Sequence, residues 1–515
     1  MNGNIIEIFH RNADAFAGER AIVEGERALT YGALRDDVVR IAASLHERGV
    51  GEGDNVLIFV PMSARLYTLL LAIFHLGATA IFVDAWADRG RLAHACRTLP
   101  IRAFIGTPKA HLLRLLSREV RAIPIKLVAR LDAWKPKGKA PAPAPVSPDA
   151  AALVTFTTGS TGAPKAARRS HRFLIAQHEA LVAALAPRRE DIDMPLLPIF
   201  VLGNLALGCT TVLPPVDPRH VEEFEPERVV EAIVKNRVVT TSGSPAFYEK
   251  LARYILEHRI ELPIERIFLG GAPVFPRLAR LLTDAFPNAS VTIVYGSTEA
   301  EPISMLPARE LLERADEAPG GGLLVGRPVD TIDVRIIPIL DGPATVRESI
   351  GELELPSGEA GEICVAGEHV LKEYYGDPDT WRENKIVADG TLWHRTGDGG
   401  YRDINGDLYL LGRVKQSFVH NGERLFVFPI EERFQNVEGI TIGTIMKQGE
   451  RLVAVAERST NDERGRMTKE EIERRVREAG IPFDELVLLD TLPRDPRHHS
   501  KIDYGKTKGS MKDER

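Results

Sequence analysis

The sequence predicts a mixed α/β protein: helix-covered parallel sheet through about residue 330, then a more antiparallel, barrel-like part, then a small C-terminal unit. Three observations carry this. Short apolar runs alternate with helix-patterned segments over the first two thirds of the chain. Beyond about residue 330 the strands are joined instead by Gly, Pro and Asp turns. After LYLLGRVKQ, near residue 414, the strand–helix alternation starts afresh.

Taken in order, the N-terminal MNGNIIEIFHRNADAF breaks its apolar run with charges at once, so it does not read as a signal peptide. LTYGALRDDVVRIAASLHERG is helix-patterned and NVLIFV (55–60) is strand-like. Leu66 to Val83, LYTLLLAIFHLGATAIFV, approaches membrane-spanning length. Gly77 divides it into a helix-like LYTLLLAIFHL and a compact AIFV, which predicts a buried helix followed by a buried parallel strand and no integral membrane segment. AFIG (103–106), AALVTFT (151–157), RIFLG (266–270) and VTIVYG (291–296) are further strands, and PERVVEAIVKN is a helix. KPKGKAPAPAPVSPDA (135–150) reads as a solvent-exposed connector. In the later part VRIIPI, GELEL, GEICVAG, LYLLG and LVAVAE are expected strands. The seam near 414 divides the chain into residues 1–413 and 414–515; the second unit holds the charged helix TKEEIERRVREAG and a tail, GKTKGSMKDER, expected to fray.

The 515 residues suffice for two or three domains, and 44% hydrophobic with 27% charged residues is a soluble, globular balance. With 72 acidic against 66 basic side chains the formal charge is −6, which leaves no basic excess for a nucleic acid partner. Cys96, Cys209 and Cys364 form no CxxC pair, as expected of a cytoplasmic protein without a disulfide framework.

The most informative stretch is AALVTFTTGSTGAPKAARRSH. A buried strand runs into Thr157-Thr158-Gly159-Ser160-Thr161-Gly162-Ala163-Pro164-Lys165, whose backbone N–H groups and hydroxyls can surround anionic oxygens while the lysine adds charge. A P-loop is excluded, because Pro164 takes the second glycine position and no Ser or Thr follows Lys165. The string resembles the phosphate-binding signature of the adenylate-forming superfamily, which includes acyl-CoA synthetases, peptide-synthetase adenylation domains and luciferases. Further motifs follow in the family's order: Gly270-Gly271-Ala272-Pro273, Tyr295-Gly296-Ser297-Thr298-Glu299, Trp393-His394-Arg395-Thr396-Gly397-Asp398, Gly412-Arg413 and a C-terminal lysine.

That resemblance implies a large N-terminal domain of two doubly wound α/β subdomains plus a distorted β-barrel, with a small mobile α+β domain behind it. It implies ATP and Mg²⁺ as cofactors, with CoA possible, and a small-molecule acyl substrate. By the same resemblance Thr157, Thr158, Gly159, Ser160, Thr161 and Gly162 hold phosphates with Lys165. Gly271, Ala272, Pro273, Tyr295 and Gly296 form the adenine site, with Tyr295 stacking on the base. Thr298 bonds the α-phosphate, Glu299 and Thr157 hold the metal, and Asp398 and Arg413 take the ribose. Lys415 falls at the family's hinge, and Gly422 and Arg424 match its next motif. Lys501 fits the catalytic lysine, ahead of Lys506 and Lys508, because Pro493-Arg494 precedes it and Ile502 follows.

One departure narrows the match. Many acyl-CoA synthetases carry a histidine where this chain has Val201, within the apolar Ile199–Leu207 stretch, which predicts a more apolar pocket entrance and an aliphatic acyl chain. Ala206–Val212, Pro214, Asp217-Pro218, Gly243-Ser244-Pro245-Ala246, Trp393-His394-Arg395 and Arg497–Ile502 resemble the β-lactone synthetases of bacterial olefin biosynthesis. The resemblance implies adenylation of a β-hydroxy acid followed by attack of its own hydroxyl. A fatty acid–CoA ligase, forming a thioester with CoA or a carrier protein, and a non-catalytic nucleotide-binding module remain alternatives, although the latter would need neither Glu299 nor Lys501. His394, His498 and His499 have the pKa range of a second-step base, and none is assigned that role.

Overall fold

The apolar runs pair into two large sheets in the structure, a computed structural model that describes residues 3–83, 89–158, 164–217, 223–314, 321–344, 348–459, 467–495 and 501–513. Among these residues a seven-stranded sheet runs in the order Glu373–Tyr374, Pro164–Ser170, Ala151–Thr158, Thr79–Phe82, Asn55–Phe59, Ile101–Gly106, Ile125–Val128. The strands from Ala151–Thr158 outward to Ile125–Val128 are parallel. Pro164–Ser170 returns antiparallel against Ala151–Thr158, with Thr157 opposite Lys165 and Thr158 opposite Pro164.

The long apolar stretch divides at Gly77, as expected. Its helix, Ala64–His75, starts where the Ser63 hydroxyl accepts from Leu66 N at 3.3 Å, and every residue from Leu66 to His75 is buried. The strand Thr79–Phe82 then enters the sheet between two parallel neighbours. Gly77 has φ +68°, and a β-carbon there would lie 2.8 Å from Val146 and 2.9 Å from Ala144. Those two residues belong to the 135–150 segment, which lacks regular structure but is a strap laid on the helix end rather than a loose connector. Ala144 N donates to His75 O, and Asn4 donates to Ala144 O. No helix among the described residues is long and apolar enough to cross a membrane.

The second sheet has fourteen strands among the described residues. At its centre Ile192–Pro195, Thr240–Gly243, Arg266–Gly270 and Ser290–Ser297 are parallel, with Pro198–Leu207, Pro226–Asn236, Pro245–His258 and Pro276–Ala285 as helices between them. The antiparallel strands expected beyond residue 330 are present, but not as a separate barrel. They extend this sheet through Leu323–Pro328, which pairs with Ala300–Pro307 at one end and Leu408–Arg413 at the other. Gly326 makes the transfer possible: its φ is +81°, the register shifts beside it, and a β-carbon would meet Met305 O at 2.1 Å. The expected GELEL strand is instead a 3-10 turn, Ile350–Leu353, begun by the Ser349 hydroxyl accepting from Gly351 N.

Residues Ile440–Gln448, Arg451–Arg458 and Glu485–Leu489 form a third, three-stranded sheet. Phe434 and Val437 pack on its one face with Ile472 and Val476 of the helix Lys469–Glu478. Ile502 and Leu492 pack on the other. The described part of the tail expected to fray is helical: Tyr504–Asp513 is a helix whose first turn is held by Asp503, accepting from Lys506 N, and whose Tyr504 hydroxyl donates to the buried Glu431.

Candidate active site

Strand ends of the second sheet set the site. Ser290–Ser297 turns directly into the antiparallel Ala300–Pro307, with Ser297 opposite Ala300, so Thr298 and Glu299 form the tip. The Ser297 hydroxyl accepts from Glu299 N and Ala300 N, at 3.2 and 3.3 Å. From outside, Leu371 N donates to Glu299 O at 2.7 Å and the buried Arg169 guanidinium donates to Thr298 O at 3.1 Å. One strand over, Gly270 lies against Ser290–Ser297 where a β-carbon would meet Val294 O at 2.5 Å, and Gly271 has φ +83°. That close approach leaves Gly271, Ala272 and Pro273 beside Tyr295 and Gly296 at the same edge.

Asp398 and Arg413 are cross-strand partners. Arg413 donates to one Asp398 oxygen at 2.6 Å, and the Tyr295 hydroxyl donates to the other at 2.9 Å. Gly397, at φ +72°, lets the chain turn so that Asp398 N also bonds the Thr396 hydroxyl. A carboxylate oxygen has two lone pairs, so each oxygen keeps one for a further donor.

Glu299 faces a second cluster. The Tyr374 hydroxyl donates to Glu299 Oε1 at 3.2 Å, and two ammonium groups approach the Tyr374 ring, Lys165 Nζ at 5.6 Å and Lys385 Nζ at 5.7 Å from its centroid. Lys165 is buried; burial lowers its pKa, Lys415 and Arg413 add to the lowering, and Glu299 opposes it. Lys385 is deeper still and donates to Leu371 O; burial pulls it down to about 7 against the attraction of Glu299. Sequence reasoning missed both Tyr374 and Lys385. The signal available was a lysine heading the apolar run KIVA, a strand that pairs with Leu392–His394.

The other expected site residues are placed as follows. Thr157 and Thr158 end the strand beside Lys165. Gly159, Ser160, Thr161 and Gly162 lie outside the described residues, as do Arg497, His498, His499 and Ser500. Lys501 is on the C-terminal unit, where its carbonyl accepts from Asp495 N at 2.8 Å and the next residue bridges Arg494. His394 is buried, its Nδ1 is 3.2 Å from Asn384 O, and burial together with Lys385 lowers its pKa well below the ordinary value. Beside it Arg395 and Glu362 form a buried pair, with Arg395 also donating to three carbonyls.

A cavity partly open to solvent lies between the helices His171–Leu185 and Pro198–Leu207 and the sheet. Leu181, Leu185, Phe200, Leu207 and Phe268 make it largely apolar. Val201 does not line it. That side chain is wholly buried in the neighbouring core with Leu205, so the expected effect of valine on a pocket entrance is not what this helix provides; Phe200, Gly203, Asn204 and Leu207 face the cavity instead.

A family model described as AMP-binding enzyme matches residues 9–375. The chain is similar to an olefin beta-lactone synthetase of Stenotrophomonas maltophilia (strain K279a), 32% identical over 490 residues that cover 90% of this chain and 87% of that protein. It is also similar to an olefin beta-lactone synthetase of Xanthomonas campestris pv. campestris, 33% identical over 416 residues, 77% of this chain and 74% of that one. In fold it superposes on the amide bond synthetase McbA from Marinactinospora thermotolerans with a TM-score of 0.81 at 23% identity, covering 98% of this chain and 99% of that one.

Proposed function

The chain belongs to the AMP-binding enzyme family, and from that premise we propose that it joins a carboxylic acid to AMP and then closes the acyl-AMP to a β-lactone. The observation that carries the first step is the meeting of the two sheets around the Glu299 turn: Tyr295, Asp398 and Arg413 from the fourteen-stranded sheet face Tyr374 and Lys165 from the seven-stranded one, and an apolar cavity lies against the neighbouring strands Thr240–Gly243 and Arg266–Gly270. Asp398 and Arg413 take the sugar, Tyr295 and Gly271–Pro273 the base, and the cavity the acyl chain.

The residues fit a phosphate-borne Mg²⁺. Among the described residues no three His, Cys, Asp or Glu side chains group to cage a metal on their own. An ion that arrives with phosphates needs few protein ligands; Glu299 supplies one hard oxygen donor, and the family resemblance adds Thr157. When bound, the ion offsets charge on the phosphates. Lys165 adds to that compensation from the facing strand.

In the first step a carboxylate oxygen attacks the α-phosphorus, the bond to the β-phosphate oxygen breaks, and pyrophosphate leaves with the electron pair. Positioning and charge stabilisation supply the rate. Lys501, carried by the unit of residues 414–515, bridges carboxylate and α-phosphate. In the second step the β-hydroxyl oxygen attacks the acyl carbon, AMP departs with the bonding pair, and the hydroxyl proton passes to water. The hydroxyl is already tethered to its target, an advantage that an external thiol lacks.

Support for the second step is the likeness to the two olefin beta-lactone synthetases. The test is mass analysis of products from a 2-alkyl-3-hydroxy acid, ATP and Mg²⁺, with and without CoA. The expected products without CoA are β-lactone, AMP and pyrophosphate. Acyl-CoA as the sole acyl product would replace the cyclase with a CoA ligase, and absence of pyrophosphate would leave a nucleotide-binding module.

A further inference from the structure

Between the nucleotide edge and the apolar cavity stands a carboxylate that the proposed chemistry leaves unused. Phe268 lines the cavity, and Gly270, two residues along the strand, shares its face. Gly270 pairs with Val294 on the parallel strand beside it, and Gly296 lies two residues beyond Val294 on the same face. A β-carbon on Gly296 would come within 3.2 Å of both Cα and Cβ of Glu301. Glu301 therefore overlies Gly296 on the sheet face that leads down to the cavity. Thr298 is two residues past that level, roughly 7 Å, and Phe268, which pairs with Thr292, is four residues short of it, roughly 13 Å.

The Glu301 carboxylate makes no hydrogen bond or ion pair among the described residues, although the residue is only partly exposed. Neither oxygen is sealed from solvent, so a ligand can reach them. The buried Arg169 guanidinium attracts it from the facing strand Pro164–Ser170, but from beyond ion-pair distance, and donates instead to Thr298 O at 3.1 Å. An acyl chain that runs from Thr298 to the cavity passes this carboxylate and strips solvent from it. A methylene group there leaves a charge without a donor, which is unfavourable. A carboxylate only accepts, so the group that suits it is a donor carried by the substrate.

We propose that Glu301 selects acids with a hydroxyl on the β-carbon by accepting a hydrogen bond from that O–H. This rests on the reading of the site as one for acid adenylation and of the cavity as the acyl site. The β-carbon is two carbons from the carboxyl carbon, so its hydroxyl belongs near Thr298, as Glu301 does, and not at the depth of Phe268. An O–H that donates keeps its oxygen lone pairs for the later attack on the acyl carbon. Selection before activation also means that each acyl-AMP formed already holds its internal nucleophile.

The test compares three 2-alkyl acids of one chain length: the 3-hydroxy acid, the acid without that hydroxyl, and the 3-methoxy acid, which keeps the oxygen but cannot donate. The readout is the second-order rate constant for pyrophosphate release in a single turnover, which precedes the second step. The 3-hydroxy acid is expected to exceed each of the others by about tenfold or more. In Glu301→Leu that ratio should fall towards unity. Should Glu301→Leu fail to fold, Glu301→Gln carries the test with a fall of about threefold or more, since a neutral acceptor bonds more weakly. Each ratio is taken within one preparation, so partial misfolding does not alter it. A wild-type enzyme without the preference, or a preference unchanged in the variant that folds, overturns the inference and leaves adenylation standing. No pyrophosphate from any of the three acids would instead overturn the adenylation reading, and this inference with it.

Discussion

Glu299 is held from three directions: by the Ser297 hydroxyl on its own turn, by Leu371 N on its carbonyl and by the Tyr374 hydroxyl on its carboxylate. Two lysines approach that tyrosine, so the carboxylate sits in a positive surrounding before any phosphate arrives. Glu299→Gln keeps the shape and removes the charge. It should raise the Mg²⁺ concentration needed for half-maximal pyrophosphate exchange by about tenfold or more, while the melting temperature changes little. Wild-type rates at limiting Mg²⁺ in this variant would take Glu299 out of the metal site. Lys501→Ala should slow adenylation by roughly 10²–10³-fold, the scale for losing one preorganised charge-stabilising donor. Lys506→Ala is the control, because Lys506 lies within the C-terminal helix, 3.7 Å from Asp503. If Lys506→Ala were the slow variant and Lys501→Ala the normal one, the roles would exchange.

At the scale of elements, what the sequence disclosed follows from how local each signal is. Pro226–Asn236 and Arg266–Gly270 coincide with their apolar patterns because burial on one face dictates the period. Asp398 and Arg413 could be paired only through their motifs, since nothing local says that two strands will set them opposite each other. Tyr374 and Lys385 escaped notice because their importance comes from Glu299, far away in sequence. The tail helix was missed because its polar sequence hides its anchor, Tyr504, whose hydroxyl reaches Glu431 beneath the three-stranded sheet. That anchor predicts a pH dependence. Glu431 is buried, and burial pushes its carboxyl up to about 7 from an ordinary 4.5, with Tyr504 and Thr444 donating to it. The folded state therefore binds this proton more tightly than the unfolded state. The stabilisation is complete below about pH 4.5 and is lost as pH rises through about 7, on the order of 3 kcal/mol for a shift of this size. Glu431→Gln should flatten that dependence and protect the C-terminal unit at pH 8. Hydrogen exchange of residues 440–458 in the whole chain, at pH 5 and pH 8, measures it. An unchanged pH slope in the variant would remove Glu431 as its source.

At the scale of the whole molecule, the family resemblance implies that residues 414–515 turn as a unit about Lys415, and the contacts of that segment make the pivot testable. Lys415 lies in a short 3-10 turn, Val414–Gln416, and a two-stranded hairpin follows, closed by Asn421-Gly422 with both residues at positive φ. Beyond the hairpin Phe426 belongs to the main core of the large unit, Phe428 meets Phe275 at 6.3 Å, and Pro429 packs over Gly321. Rotation about Lys415 must therefore withdraw Phe426 from its seat, whereas a pivot beyond it would leave the ring in place. Gly399 forms that seat: a β-carbon there would come within 2.3 Å of the Phe426 ring. Gly399→Ala thus penalises the docked arrangement by about 1–3 kcal/mol, the usual cost of overpacking. With the pivot at Lys415, one half-reaction uses the docked arrangement and the other does not. Pyrophosphate exchange and product release from preformed acyl-AMP should then change unequally, their ratio moving by roughly tenfold. Phe426→Leu in the same chain should restore the ratio by making room for the added methyl group. Equal changes in the two half-reactions would mean that Phe426 stays with the large unit throughout, and would move the pivot past residue 426.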